Sequence, residues 1–259
     1  MSLFSPDRAY LTEVFSSVQG EGLLVGERQL FVRFFGCHLN CSFCDTPETV
    51  LARHPKGYLP EKFSVERRPG SGIVESYANP IDVNALLLLC REMDQPRGLH
   101  RHIALTGGEP LLHGRFLEQF APAAVSDGFY LYLETAGDLS KALEPLLPYW
   151  SVIAMDVKLV SATKDRDLWT QHDRFLQTAA NFDGLVFIKA VVTSETTEDE
   201  VVQAARLAEK HGRPLILQPV TPNEQAPTPE RMLQIQAVAA GEGSDVRVIP
   251  QTHKMMAQR

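Results

Sequence analysis

Short runs of β-branched and aliphatic residues recur along this chain, separated by amphipathic segments, and that alternation constrains the fold more than any other feature. The pattern predicts strands over residues 30–35, 102–106, 129–134, 152–157, 185–192, 214–218 and 245–249. It predicts helices over 80–93, 115–125, 139–147, 197–211 and 229–239, with Asp82-Val83 and Thr228-Pro229 suited to helix starts. Strand and helix alternating at this spacing imply an α/β chain with a mainly parallel sheet and right-handed crossovers. A barrel or part-barrel of this kind puts its working loops at the C-terminal ends of the strands. The 259 residues are read as one domain, 1–259, with two interruptions. Residues 51–79, rich in proline, glycine and charge, read as a long loop with at most a short hairpin. They suit a lid or recognition element and equally a solvated insertion without a role. Residues 161–182 are expected to hold a helix over 165–178.

Charge and hydropathy narrow the function. A formal net charge of −7 argues against a broad phosphate-binding face, so no nucleic-acid partner is expected. No apolar run approaches the ~20 residues of a membrane span. The start MSLFSPDRAY lacks the charged and apolar regions of a secretory signal, which points to the cytoplasm, where thiols stay reduced. The 4 cysteines are therefore expected to be ligands or core residues.

From Gly36 the sequence reads G-C-H-L-N-C-S-F-C-D-T, which brings Cys37, Cys41 and Cys44 onto one tight loop. Three thiolates can hold three irons of a cubane cluster and leave the fourth iron open to a ligand. Cys90, within ALLLLC on an apolar helix, reads as a core thiol, with a fourth-ligand role as the alternative. A Cys₃His zinc site using His38 competes, although a histidine directly after a ligand is poorly set to join the same metal. A disulfide is the weakest reading.

The C-x-x-x-C-x-x-C triplet, with Phe43 before its last cysteine, resembles the signature of the radical S-adenosylmethionine (SAM) superfamily. Thr106-Gly107-Gly108-Glu109-Pro110, on a later strand, resembles that superfamily's second motif, which receives the amino group of SAM. Glycines let the backbone approach a ligand, and a carboxylate suits an ammonium; the bland alternative is a turn into the next helix. The resemblance implies a partial (β/α)6 barrel, a 4Fe-4S cluster on Cys37, Cys41 and Cys44, and SAM as cofactor. In such enzymes the reduced cluster cleaves SAM, and the resulting radical abstracts a hydrogen atom from the substrate.

A narrower resemblance rests on Ser17-Val18-Gln19-Gly20-Glu21-Gly22, Phe31 to Cys37, Cys44-Asp45-Thr46, Leu217 to Val220 and Gln251-Thr252-His253-Lys254. Together these resemble the 7-carboxy-7-deazaguanine synthase family, which turns 6-carboxytetrahydropterin into 7-carboxy-7-deazaguanine and releases ammonia on the way to queuosine. The resemblance implies that Val18, Gln19 and Gly20 read the pterin edge, with Glu21 as an added acceptor. It implies that Arg33 holds the substrate carboxylate, Thr46 ligates a Mg²⁺ ion, Thr106 touches substrate and His253 lies over it. Phe43, Gly107, Gly108, Glu109, Glu134, Asp156, Lys158 and Gln218 fall to the cofactor. A homodimer and a reductase or flavodoxin-type electron donor are implied as well. Three features depart from the family pattern: Asp156-Val157 in place of Ser-Pro, the long loop after Thr46, and the final Arg259. The rival readings are a glycyl-radical-enzyme activase, some of which carry an Asp-x-Lys, and a non-enzymatic metal module.

Overall fold

A computed structural model describes residues 4–221 and 224–258, which leaves Arg259 outside the described residues. Twelve strands are described: β1 (Arg8–Ala9), β2 (Leu11–Val18), β3 (Arg28–Phe34), β4 (Lys62–Glu66), β5 (Glu75–Ala78), β6 (Ile81–Asp82), β7 (His102–Gly107), β8 (Tyr130–Thr135), β9 (Val152–Val157), β10 (Leu185–Val192), β11 (Leu215–Pro219) and β12 (Val246–Val248). The helices are α1 (Val83–Met93), α2 (Gly114–Ser126), α3 (Ser140–Leu143), α4 (Val160–Thr163), α5 (Trp169–Thr178), α6 (Glu198–Lys210), α7 (Pro229–Ala240) and α8 (Thr252–Met255).

Ten strands form one sheet in the order β12-β11-β10-β9-β8-β7-β3-β2-β4-β5. From β3 to β12 neighbouring strands are parallel; β7 to β12 follow one another in chain order with helical segments between them, and β3 pairs with β7 across the intervening β4–β6 and α1. This is the expected α/β architecture, an open sheet of the partial-barrel kind. Strand β2 runs antiparallel to β3 and seals that edge. The hairpin β4–β5 then extends the sheet beyond β2, so part of residues 51–79 is sheet edge.

Local chemistry explains where the elements begin and end. The Asp82 side chain accepts from Ala85 N at 2.9 Å and starts α1. Thr197 and Glu200 form a reciprocal capping box on α6, and Thr228 accepts from Arg231 N ahead of Pro229 in α7. Two expected helices are shorter than their periodicity suggests. The segment 139–147 is helical only over Ser140–Leu143 and tightens to a 3-10 turn over Glu144–Tyr149, where Pro145 and Pro148 remove backbone donors. The helix expected over 165–178 starts at Trp169, because Asp165 and Asp167 turn their carboxylates onto backbone N–H groups.

Side chains alternate along the strands, and this alternation builds the site. Outward residues such as Val32, Leu105, Leu133, Ile153, Ile188 and Leu217 pack under the helices in the main core. Inward residues Phe31, Ala104, Tyr132, Ala154, Phe187 and Ile216 form a second apolar cluster across the inner face.

Candidate active site

Two residues beyond each member of that inner apolar layer, toward the C-terminal end of each strand, stands a polar residue: Arg33, Thr106, Glu134, Asp156, Lys189 and Gln218. These six form the floor of a cavity of about 320 Å³ at the strands' C-terminal ends. Cys37, Cys41, Phe43, Cys44 and Thr46 line it from the loop after β3, and Val18, Gln19, Gly20 and Glu21 from the loop after β2. Gly107, Gly108 and Lys158 line it at strand ends, and Gln251, His253 and Lys254 reach it from the C-terminal segment. Every residue that the resemblance assigned to cluster, cofactor or substrate lies on this wall except Glu109.

The three cysteines face the cavity. Burial raises the Cys41 thiol and pushes that of Cys37 up to about 12. Among the described residues, no three His, Cys, Asp or Glu side chains converge to hold a single metal ion. The thiols instead stand around a space shared with Phe43 and with the Lys158 ammonium, 5.9 Å from the Phe43 ring centre. His38 does not join them, since its Nε2 lies 2.6 Å from Asp138 Oδ2. Cys90 is wholly buried in the main core, as its apolar helix implies. The insertion 161–182 fastens the cysteine loop: Ser42 N donates to Thr163 O at 2.8 Å, Ser42 Oγ to Ala162 O at 2.6 Å and Asn40 N to Asp165 Oδ2 at 2.8 Å.

The glycine pair serves close approach. Gly108 N donates to Phe34 O at 3.0 Å and Glu109 N to Gly36 O at 2.7 Å, stitching the second motif to the start of the cysteine loop. A Cβ on Gly108 would stand 2.1 Å from Gly36 O. Glu109 departs from expectation. It is wholly buried behind the wall and accepts from Leu111 N at 3.1 Å, Thr135 Oγ1 at 2.9 Å and Ala136 N at 2.7 Å. Its side chain caps the turn Pro110–His113 and anchors the loop after β8, so it is turned away from a ligand in the cavity. Burial, reinforced by Asp138, outweighs those hydrogen bonds and brings its carboxyl up to about 7.

On the opposite wall Gln19 is committed to the protein. Its Nε2 donates to Glu134 Oε1 and Gln29 Oε1, both at 3.1 Å, and its Oε1 accepts from Glu21 N at 3.0 Å. Thr106 Oγ1 donates to the other Glu134 oxygen at 2.5 Å. Arg33 donates through Nε to Glu13 at 2.8 Å. Glu21 accepts from Lys189 and, at 2.7 Å, from Gln251 Nε2; burial works to raise its carboxyl, but the Lys189 charge and these donors hold it at about 2. Asp156 is paired with Lys158 at 2.7 Å and Lys189 at 3.2 Å. Among the described residues, Gln218 Oε1 and Asp156 Oδ1 are buried with no hydrogen-bond partner, the latter meeting Lys189 only as an ion pair. Thr252 N donates to Gly20 O at 2.9 Å, and His253 packs so closely on Gly20 that a Cβ there would come within 2.0 Å of Nδ1. Burial lowers the His253 pKa, favouring the neutral ring. No residue of 51–79 lines the cavity, so of the two readings left open for that stretch the lid is not formed among the described residues.

Sequence reasoning missed Lys189, although the signal was present: one lysine within the otherwise apolar run LVFIKAVV.

This fold and three-thiol wall define a radical SAM protein, and residues 31–235 match the Radical SAM superfamily. Membership implies a 4Fe-4S cluster and S-adenosylmethionine. The chain is 38% identical over 255 residues to the 7-carboxy-7-deazaguanine synthase of Geobacter sulfurreducens, covering 96% of this chain and 98% of that one. It is 32% identical to the synthase of Methanothermobacter thermautotrophicus, covering 97% and 98%. The chain therefore belongs to the 7-carboxy-7-deazaguanine synthase family. The fold also resembles QueE from Escherichia coli, with a TM-score of 0.60 at 19% identity and 94% of both chains covered. It resembles part of SuiB from Streptococcus suis bound to S-adenosylmethionine, with a TM-score of 0.55 at 10% identity, covering 83% of this chain and 45% of that one.

Proposed function

We propose that this chain is a radical SAM carbon–nitrogen lyase that converts 6-carboxy-5,6,7,8-tetrahydropterin to 7-carboxy-7-deazaguanine with release of ammonia. The observation that carries the reading is the joining of a three-thiol wall to a ring of polar side chains in one small cavity. The residues suit the cofactors. Cys37, Cys41 and Cys44 would hold the cluster. The buried, unpartnered Gln218 Oε1 and the Asp156 carboxylate are acceptors suited to the hydroxyl and amino donors of SAM. Lys158 is a cation suited to its carboxylate. When bound, cluster and SAM together supply the radical that removes a hydrogen atom from the substrate.

The chain's own residues would orient and enclose the heterocycle. Arg33, a rigid fork of donors, would hold its carboxylate, and Thr46 would ligate a Mg²⁺ ion through a hard oxygen. Gln19 would act mainly by fixing Glu134 and the Glu21 backbone, leaving the Glu21 carboxylate to accept from the ring N–H groups of the substrate and the Glu134 carboxylate from donors of the cofactor. Thr106 and the neutral His253 would contact the ring. The C-terminal segment, tied to Gly20 by Thr252 and to Glu21 by Gln251, would exclude water. That cover favours a small heterocycle over a protein substrate and weighs against the activase reading. No helix among the described residues is long and apolar enough to cross a membrane. A cytoplasmic homodimer served by a reductase or flavodoxin-type donor completes the proposal.

The test is anaerobic reconstitution and reduction, then addition of SAM, Mg²⁺ and 6-carboxytetrahydropterin, with 5′-deoxyadenosine and product followed by mass spectrometry. Formation of 7-carboxy-7-deazaguanine supports the reading. SAM cleavage with the pterin returned unchanged overturns the substrate.

A further inference from the structure

Lys189 is the least expected member of the cavity floor. It lies near the middle of β10, directly opposite Asp156 in the β9–β10 ladder, and its side chain is 8% exposed. The neighbouring residues on the strand, Ile188 and Ala190, are wholly buried in the main core, so Lys189 is the polar member of its strand that faces inward. Holding an ammonium in such a place is costly unless anions pair with it closely. Two anions do so, and they come from different walls. Glu21 belongs to the loop after β2, on the side assigned to the heterocycle, and Asp156 ends β9 beside Lys158, on the side assigned to the cofactor. Each carboxylate has one further described donor on its other oxygen, Gln251 for Glu21 and Lys158 for Asp156. Lys189 thus fixes the rotamers of both, and it does so from the boundary between the two subsites.

We propose that Lys189 is a positioning residue that links the two subsites, with one ammonium setting the Glu21 carboxylate for the substrate heterocycle and the Asp156 carboxylate for the hydroxyls of the cofactor. The inference rests on the function proposed above. It gives Asp156 a role despite the departure from the Ser-Pro-Lys pattern. A carboxylate at that position needs a partner to stay oriented, and β10 supplies one at the matching register. A filler lysine, present only to neutralise buried acids, would contribute to folding without affecting the affinities of both ligands.

The experiment compares cluster-loaded wild type with Lys189→Met, Lys189→Arg, Glu21→Gln and Asp156→Asn. Calorimetry reads the dissociation constants of SAM and of 6-carboxypterin, a stable oxidised analogue, and thermal unfolding is measured alongside. Lys189→Met is expected to weaken both ligands by roughly ten-fold or more, the size of losing a close charge-assisted contact to each carboxylate. Glu21→Gln should weaken the pterin alone and Asp156→Asn should weaken SAM alone. Lys189→Arg, which keeps the charge, should recover most of both affinities, and Lys189→Gln serves in place of Lys189→Met if that variant does not fold, with losses for both ligands expected together. A Lys189→Met protein that loses thermal stability but keeps both affinities within roughly two-fold overturns the proposal, as does weakening of one ligand alone. Wild type that fails to bind 6-carboxypterin would instead overturn the substrate reading.

Discussion

Replacing Gly108 by alanine tests the joint between the two motifs most directly. The added Cβ would meet Gly36 O at 2.1 Å, Gly36 C at 2.5 Å and Cys37 N at 3.0 Å, all of them backbone atoms that no rotamer change can move aside. Ordinary contact requires the two loops to part by roughly 1 Å or more. Such a shift breaks the stitching bonds Gly108 N to Phe34 O and Glu109 N to Gly36 O. Each contributes about 1 kcal/mol net, and overpacking adds about 1–3 kcal/mol, so the variant should lose about 3–5 kcal/mol. At about 2–4 °C per kcal/mol for a chain of this size, Tm should fall by roughly 6–20 °C. Because Gly36 immediately precedes Cys37, iron bound per chain after anaerobic reconstitution should fall as well. Gly114→Ala is the control: its Cβ would meet Ala142 Cβ at an ordinary 3.4 Å at the start of α2, where alanine favours the helix, so stability should change by less than ~1 kcal/mol. Thermal unfolding followed by circular dichroism, with iron analysis, reads both variants. A Gly108→Ala protein with wild-type Tm and iron content refutes the claim that the second motif is built around backbone contact with the cysteine loop.

Cys90→Ala should cost about 1–2 kcal/mol through a small core cavity and leave the iron content unchanged; a loss of iron would revive the fourth-ligand reading. The Glu21 carboxyl is held at about 2, below its ordinary 4.5, so its pairing contributes stability that is complete above about pH 4.5 and lost as pH falls toward 2. The amount is about 3 kcal/mol. Urea unfolding should show the gap between wild type and Glu21→Gln closing across that window, and a constant gap would contradict the Lys189–Glu21 pairing. Replacing exposed residues 68–73 by a shorter turn should leave kcat/KM for the pterin within roughly two-fold, since no residue of that stretch lines the cavity; a larger fall in steady-state assays would return the loop to the site.

How far the sequence carried the description depended on which face of each strand a residue occupies. The inner strands were legible because their outward positions face helices and their inward positions an apolar floor, so Val152–Val157 and Leu185–Val192 begin and end where the β-branched runs do. Strand β2 escaped the pattern. LTEVFSSV mixes polar and apolar residues, and its glutamate and paired serines break the β-branched run that would mark a strand. The hairpin β4–β5 was foreseen only as an option within 51–79. Its outer strand β5 is short, polar and at the sheet edge, where little burial constrains the sequence, although β4 buries Phe63 and Val65 in the main core.

The site was legible wherever a recognised motif carried it, and less so where the fold alone creates it. Glu109 shows the limit of motif reading: a carboxylate suits an ammonium, but this one is drawn inward by Leu111 N of its own turn and by Thr135 and Ala136 at the end of β8, which only the fold brings beside it. Lys189 shows the converse. On each of β3, β7, β8, β9, β10 and β11 an inward apolar residue is followed two positions later by a polar one. Period-two geometry places the first in the apolar layer and the second, one step nearer the strands' C-terminal ends, on the cavity floor. Five of those polar residues had been singled out by family resemblance. The same offset applied to Phe187 selects Lys189 without any family, because a lone charge at an inward position of an apolar strand has no solvent to reach and must meet a counter-charge. That counter-charge comes from Glu21 and Asp156, which belong to different subsites, so the residue chosen by strand geometry is also the one placed to connect them.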